Sequence, residues 1–193
     1  MEFIDIEIFL WINSWVGKIY LFDEIVKIIV SDYLIPVGFS MAMVGLWFSG
    51  KTARVRQEYQ KAVIVGVGSV GISNLIIAVI NNFYFRVRPF NDLDVSLLFY
   101  QPTDSSFPAN PVAMVFTVAI AIWIVNKRIG WVLIAIAVLF SFARIYSGVF
   151  YPSDILAGAL IGIFVAVILT KVRKLIEPVP TFVLKLARVF CLA

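Results

Sequence analysis

The stretch Arg144-Ile145-Tyr146-Ser147-Gly148-Val149-Phe150-Tyr151-Pro152-Ser153-Asp154 joins two apolar runs, Ile129 to Ile145 and Ile155 to Thr170. A helix that crosses a bilayer needs roughly 20 mostly apolar residues, and both runs approach that length. The stretch is therefore a turn at a membrane boundary, where a guanidinium closes one span and a carboxylate opens the next. Two other segments occupy the same kind of place. Arg86-Val87-Arg88-Pro89-Phe90 follows the run Ala62 to Val79, and Phe107-Pro108-Ala109-Asn110-Pro111 leads into the run Pro111 to Val125.

Around these segments the chain is mostly hydrocarbon. Of its 193 residues 62% are hydrophobic and the mean hydropathy is +0.98, whereas a globular chain is roughly 45–50% apolar. A soluble domain is excluded, and a single membrane domain over residues 1–193 is expected. The lone Cys191 rules out an internal disulfide. With no histidine in the chain, neither a metal site nor a cofactor is expected. The acidic start Met1-Glu2-Phe3-Ile4-Asp5 lacks the basic region of a cleavable signal, so the N-terminus is expected to stay. The net charge of +4 comes without a solvated basic face, which argues against a nucleic-acid partner.

The fold expected from these runs is an all-α integral membrane bundle of about five to six transmembrane helices. Tyr33 to Phe48 is the first clean run, followed by 62–79, 111–125, 129–145 and 155–170. Residues 33–171 form this core. Residues 1–32 are apolar but interrupted by Asp5, Glu7, Asn13, Lys18, Asp23, Glu24 and Lys27. That spacing suits an amphipathic interfacial segment of two short helices meeting near Gly17, with a sixth span as the alternative. Residues 172–193 read as a tail with another interfacial helix after Pro178. Gly66, Gly68 and Gly71 are expected to let helix backbones approach closely.

Loop charges orient the bundle. Lys51, Arg54, Arg56 and Lys61 join the first two runs, Lys127 and Arg128 join the third and fourth, and Lys171, Arg173 and Lys174 follow the fifth. In an alternating topology all three places share one side, which the positive-inside rule makes cytoplasmic. The segment 83–110 and the turn 146–154 then face outward together from a bacterial or archaeal cytoplasmic membrane.

Arginines from three separate segments on that outward face suit a phosphate, because guanidinium donors match its oxygens bidentately and keep their charge. Arg88 and Arg144 are the principal candidates, with Arg86 and the helix start at Asn110 assisting. Snorkelling to head groups, or pairing with the loop carboxylates Asp92, Asp94 and Asp104, is the plainer alternative. Asn110-Pro111 equally fits an N-cap followed by proline at the first helical position. Asp154 equally fits a first-turn carboxylate favoured by the helix dipole.

The three segments resemble the motifs of the PAP2 superfamily, the type 2 phosphatidic acid phosphatases related to vanadium haloperoxidases. The family pattern is Lys-x6-Arg-Pro, then Pro-Ser-Gly-His, then Ser-Arg-x5-His-x3-Asp, and the resemblance covers roughly residues 60–170. Arg88, Pro89, Pro108, Arg144 and Asp154 match it. Asn81 stands at the lysine, Ala109 at the motif serine, Asn110 at the glycine and Pro111 at the histidine that protonates the leaving group. Ala143 replaces the serine before Arg144, and Phe150 stands at the histidine that attacks phosphorus. The resemblance implies a phosphate-binding fold whose usual covalent and acid–base groups are gone, since neither phenylalanine nor proline can do that chemistry.

Three functions fit that combination. One is a PAP2-like protein that binds a lipid phosphate or diphosphate without hydrolysing it by the family route. A second is a lipid phosphatase, for a phosphatidate or polyprenyl diphosphate, in which Asp154, Asp104 or Asp92 attacks or activates water. The third is a structural subunit whose arginines pair internally and whose partner is another membrane protein.

Overall fold

The computed structural model describes residues 2–31, 33–173 and 178–189, with the side chains of Glu2, Pro178 and residues 185–189 left aside. Met1, Lys174 and Cys191 lie outside the described residues, as do the side chains of Lys185 and Arg188 in the tail. The described residues form helices α1 (Glu2–Asn13), α2 (Tyr20–Ile29), α3 (Leu34–Phe48), α4 (Ala53–Phe83), α5 (Pro89–Asp92), α6 (Asn110–Val125), α7 (Lys127–Tyr146), α8 (Pro152–Val172) and α9 (Pro178–Val189).

Each apolar run became a helix, and the boundaries moved where polar residues could be solvated at the ends. α4 starts well before Ala62, because Thr52 caps it: its hydroxyl accepts the Val55 N–H at 3.3 Å. Arg54, Arg56 and Lys61 therefore stand on the first turns of α4 and not in a loop. Among the described residues three helices, α4, α7 and α8, are long and apolar enough to cross a bilayer, and α2 with α3 would make a fourth bent by 49°, against the expected five to six. α6 has 16 residues, a rise of about 24 Å against a hydrocarbon core of about 30 Å.

The short α6 is the hub of the bundle. It touches α3, α4, α7 and α8, and Val112, Ala113, Val115, Val118 and Ala119 on it are wholly buried. Outward from it the polarity is that of a lipid-facing bundle, with Leu75, Phe83, Trp131, Leu156, Leu160 and Phe164 all exposed. Such large apolar side chains on the outside are stable only where the surroundings are hydrocarbon. The chain is an integral membrane protein.

Glycine sets the approach of α8 to α6. A Cβ at Gly158 would lie 2.4 Å from the Ala109 carbonyl oxygen, and one at Gly162 would lie 2.3 Å from that of Ala113. Their spacing of four puts both on one face of α8, and this small-xxx-small face lets α8 lie directly on the backbone of α6. In α4 the expected close approach holds for Gly66, which faces Ala121 and Met43, but not for Gly68 or Gly71, which have nothing within 4 Å. Glycines two and five positions further along a helix point to other faces. Gly162→Val should accordingly lower stability by about 3 kcal/mol, the upper part of the overpacking range. Gly68→Ala should stay within about 1 kcal/mol of the parent. Thermal melts in one detergent compare the two, and similar losses would contradict this packing.

α1 and α2 meet at a turn where Gly17 has φ +84°, as the sequence suggested. Three of their polar residues, Asp5, Asn13 and Asp23, nonetheless point inward, while Glu7, Lys18 and Lys27 stay exposed. Asp5, Phe9, Ile12 and Asn13 of α1 are buried while Phe3, Ile4 and Trp11 are exposed, the reverse of a helix floating in an interface. Asn13 donates to the Ser96 and Tyr146 carbonyls at 2.9 and 3.0 Å and accepts the Ser96 N–H. Asp23 of α2 accepts the Gly17 N–H at 2.9 Å and lies 2.7 Å from the Tyr146 hydroxyl. Buried polar groups demand such partners, so both N-terminal helices are docked on α7, and α1 also on the loop before α6.

Candidate functional site

The two ends of the bundle differ in charge chemistry. At one end Asn126 donates to the Tyr59 hydroxyl at 3.4 Å and Arg173 pairs with Glu58 at 2.7 Å. These contacts gather the start of α4, the α6–α7 junction and the end of α8, which carry the basic flanks. At the other end the segment 86–109 folds back over the starts of α6 and α8. Ser106 N–H donates to the Arg86 carbonyl at 2.9 Å, and Ala109 N–H donates to the Asp154 carbonyl at 3.1 Å.

Arg86 lies at the centre of one cluster at this end. One terminal nitrogen donates to Asp154 at 2.6 Å and to the Ser153 hydroxyl at 2.7 Å, and the other donates to Asp5 at 2.8 Å. Its guanidinium also lies 4.2 Å from the centre of the Tyr151 ring. Burial opposes the charge of Arg86, but hydrogen bonds and fields from Asp5 and Asp154 outweigh it and hold its pKa above the ordinary value. Asp154 is wholly buried. Its second oxygen accepts the Ser106 hydroxyl and, at 3.0 Å, the Tyr151 N–H. This last bond is a reach back from the first turn of α8 to its N-cap, so the dipole reading of Asp154 and its place in the cluster hold together.

Arg88 builds a second cluster beside the first. It donates to the side chain and carbonyl of Asp104 at 2.8 and 3.0 Å and to the Val149 carbonyl at 3.3 Å. Its guanidinium lies 4.4 Å from the centre of the Phe150 ring. Phe150 is 1% exposed, so the side chain at the motif histidine's position is packed flat into the protein under a cation. Arg144, also 1% exposed, has its guanidinium 4.8 Å from the rings of both Phe99 and Phe140. The two arginines are joined through Val149, whose carbonyl serves Arg88 and whose N–H donates to the Arg144 carbonyl at 3.3 Å. Gly148, with φ +87°, makes the turn that allows this.

The remaining candidates are more dispersed. Asn110 is exposed and is the first helical residue of α6, Pro111 the second, and Ala109 the buried N-cap. The expected cap at Asn110 is thus shifted by one residue: Ala109 has the extended backbone of a cap, φ −68° and ψ 96°, while its side chain caps nothing. Asn81 stands in the last turns of α4, partly buried. Sequence reasoning missed Asp5 and Ser153. Asp5 had a usable signal, since it falls on the same helical stripe as Phe9, Ile12 and Asn13.

A cavity of about 520 Å³ opens beside Arg86, lined by Ile4, Asp5, Ile8, Tyr84, Phe107, Pro152, Ser153 and Leu156. Its polar spot is Arg86, Asp5 and Ser153, and its walls are apolar.

The chain is thus an α-helical membrane bundle in which Arg86, just past α4, pairs with the first-turn carboxylate of α8. The model of the PAP2 superfamily matches residues 62–177, and the chain belongs to that family. It is 28% identical over 161 residues to the undecaprenyl-diphosphatase BcrC of Bacillus subtilis strain 168, covering 83% of this chain and 80% of that one. The crystal structure of Aquifex aeolicus LpxE superposes with a TM-score of 0.69 at 28% identity, covering 86% of this chain and 94% of LpxE. The transmembrane PAP2-type phosphatidylglycerolphosphate phosphatase of Bacillus subtilis shares the fold, with a TM-score of 0.67 at 20% identity over 90% and 86% of the two chains.

Proposed function

We propose that this protein binds the phosphate or diphosphate head group of a membrane lipid at its arginine-rich end and does not hydrolyse it by the family's histidine route. The observation that carries this reading is Phe150, buried against Arg88 where the resemblance expects the nucleophile. A phenyl ring has no lone pair to attack phosphorus, and Pro111 offers no proton for a leaving group. What survives is the means of holding an anion: Arg86, Arg88 and Arg144, the helix start at Asn110, and the cavity beside Arg86. The relatives' names support a polyprenyl diphosphate as ligand, with phosphatidate-type lipids next. The positive-inside pattern supports an outward-facing site in a cytoplasmic membrane.

Hydrolysis through Asp154 has weaker support, because both its oxygens are occupied and none of it is exposed. Binding is read by melting the detergent-solubilised protein with undecaprenyl phosphate, undecaprenyl diphosphate, phosphatidate or phosphatidylcholine. The anionic lipids should raise the melting temperature in the parent and less so in Arg88→Gln, while phosphatidylcholine should not. Equal behaviour of all four lipids would end this reading.

A further inference from the structure

The Arg86 cluster holds its anion already, and the anion is part of the chain. Asp5 of α1 sits where three donors converge: the Ser153 N–H at 2.9 Å, the Ser153 hydroxyl, and Arg86 at 2.8 Å. Ser153 is the second residue of the 21-residue helix α8, so its N–H belongs to the free first turn that favours negative charge. A backbone N–H on one carboxylate oxygen, with a hydroxyl and one guanidinium nitrogen on the other, forms an oxyanion cradle. The carboxylate of Asp5 fills it from a helix that is otherwise apolar on this side, with Ile4 and Ile8 lining the same cavity.

Charge decides what else can bind there. The two clusters together set two guanidiniums, Arg86 and Arg88, against three carboxylates, Asp5, Asp104 and Asp154. A phosphate brought into this end without any rearrangement would meet an excess of negative charge. If Asp5 leaves, Arg86 is left with Asp154 alone, and a phosphate group can take over the Ser153 donors and the free terminal nitrogen. A phosphomonoester carries more charge and more acceptor oxygens than one carboxylate, so it can compete. The far end of α1 stays docked through Asn13, which binds Ser96 and Tyr146.

We propose that the Arg86–Ser153 cradle is a phosphate-binding site and that Asp5 is its built-in competitor, displaced when a phosphate-bearing ligand enters the adjoining cavity. This deepens the reading above and rests on it for the lipid nature of the ligand. The cradle itself requires only a phosphate group, whether free or on a lipid.

Asp5→Ala and Asp5→Asn test it, each melted in detergent with inorganic phosphate, with phosphatidate micelles, and with phosphatidylcholine micelles as the neutral control. Both variants should melt lower than the parent in phosphate-free buffer. Each should then bind inorganic phosphate and phosphatidate at least about tenfold more tightly than the parent, by the concentration dependence of the melting temperature. Asp5→Asn keeps the size of the side chain, so it carries the test if Asp5→Ala does not fold. Tightened binding of inorganic phosphate with no response to phosphatidate would keep the cradle and sink the lipid reading. Equal binding by parent and variants would keep the lipid reading and overturn the competitor. No phosphate response in any form would overturn both.

Discussion

Phe150→His combined with Pro111→His and Ala109→Ser is expected to release phosphate from a polyprenyl diphosphate or a phosphatidate at least about 10²-fold faster than the parent, which should stay near the rate without protein. By resemblance, the imidazole at 150 attacks phosphorus and the one at 111 protonates the departing oxygen. General acid–base assistance alone contributes roughly 10²–10⁴-fold, and a covalent intermediate divides one difficult step into two. Histidine is smaller than the phenylalanine it replaces, and at 150 it would stand beside Arg88, whose guanidinium is 4.4 Å from the present ring centre. Position 111 lies in the first turn of α6, where no helical hydrogen bond depends on proline. Phe150→His alone should gain less, because the leaving group would still depart unprotonated. A parent that already turns over at the rate of the triple variant would show that another group does the chemistry, and the binding-only reading would fall.

Arg86→Met should destabilise the protein by about 3–5 kcal/mol, the cost of breaking a buried charge pair from one side. The side chain of Arg86 is 17% exposed and its partners Asp5 and Asp154 are 9% and 0% exposed. Removing the cation leaves two carboxylates near Ser153 with only neutral donors between them. Either one of them takes up a proton or the first turn of α1 leaves its dock. Adding Asp5→Asn to Arg86→Met should recover part of the loss, and the non-additivity of the two changes measures the coupling. Denaturation in a fixed detergent, with Arg86→Lys as an intermediate, reads both quantities. A loss below about 1 kcal/mol for Arg86→Met, the size of an exposed pair, would mean that this network does not hold α1 in place.

These two results concern residues that differ in how visible they were. Arg86, Arg88, Arg144, Asp154 and Phe150 could be singled out because they stand at fixed intervals in short motifs. Their partners could not be assigned in that way. Asp104 was one of three acidic residues in the same loop, and nothing in its neighbours marks it as the one that meets Arg88. Asp5 is 81 positions from Arg86, and its helix reads as interfacial until one knows that its polar stripe faces protein. Gly158 and Gly162 were legible as a spacing of four, yet the glycines of α4 drew the packing assignment, because the backbone that approaches a glycine is not written beside it.

Apolar run lengths alone determined that this chain lies in a membrane as a helical bundle, since hydrocarbon leaves the backbone few other ways to satisfy its hydrogen bonds. Residue identities alone determined that none of these 193 residues can offer an imidazole. Only the tertiary structure decided which carboxylate meets which guanidinium, that α6 is the enclosed hub, and that the first helix delivers an anion into the cradle at the start of α8. The reason is range. Helix formation and burial in lipid follow from neighbours along the chain, whereas ion pairing depends on a few ångströms between residues that the chain itself keeps far apart.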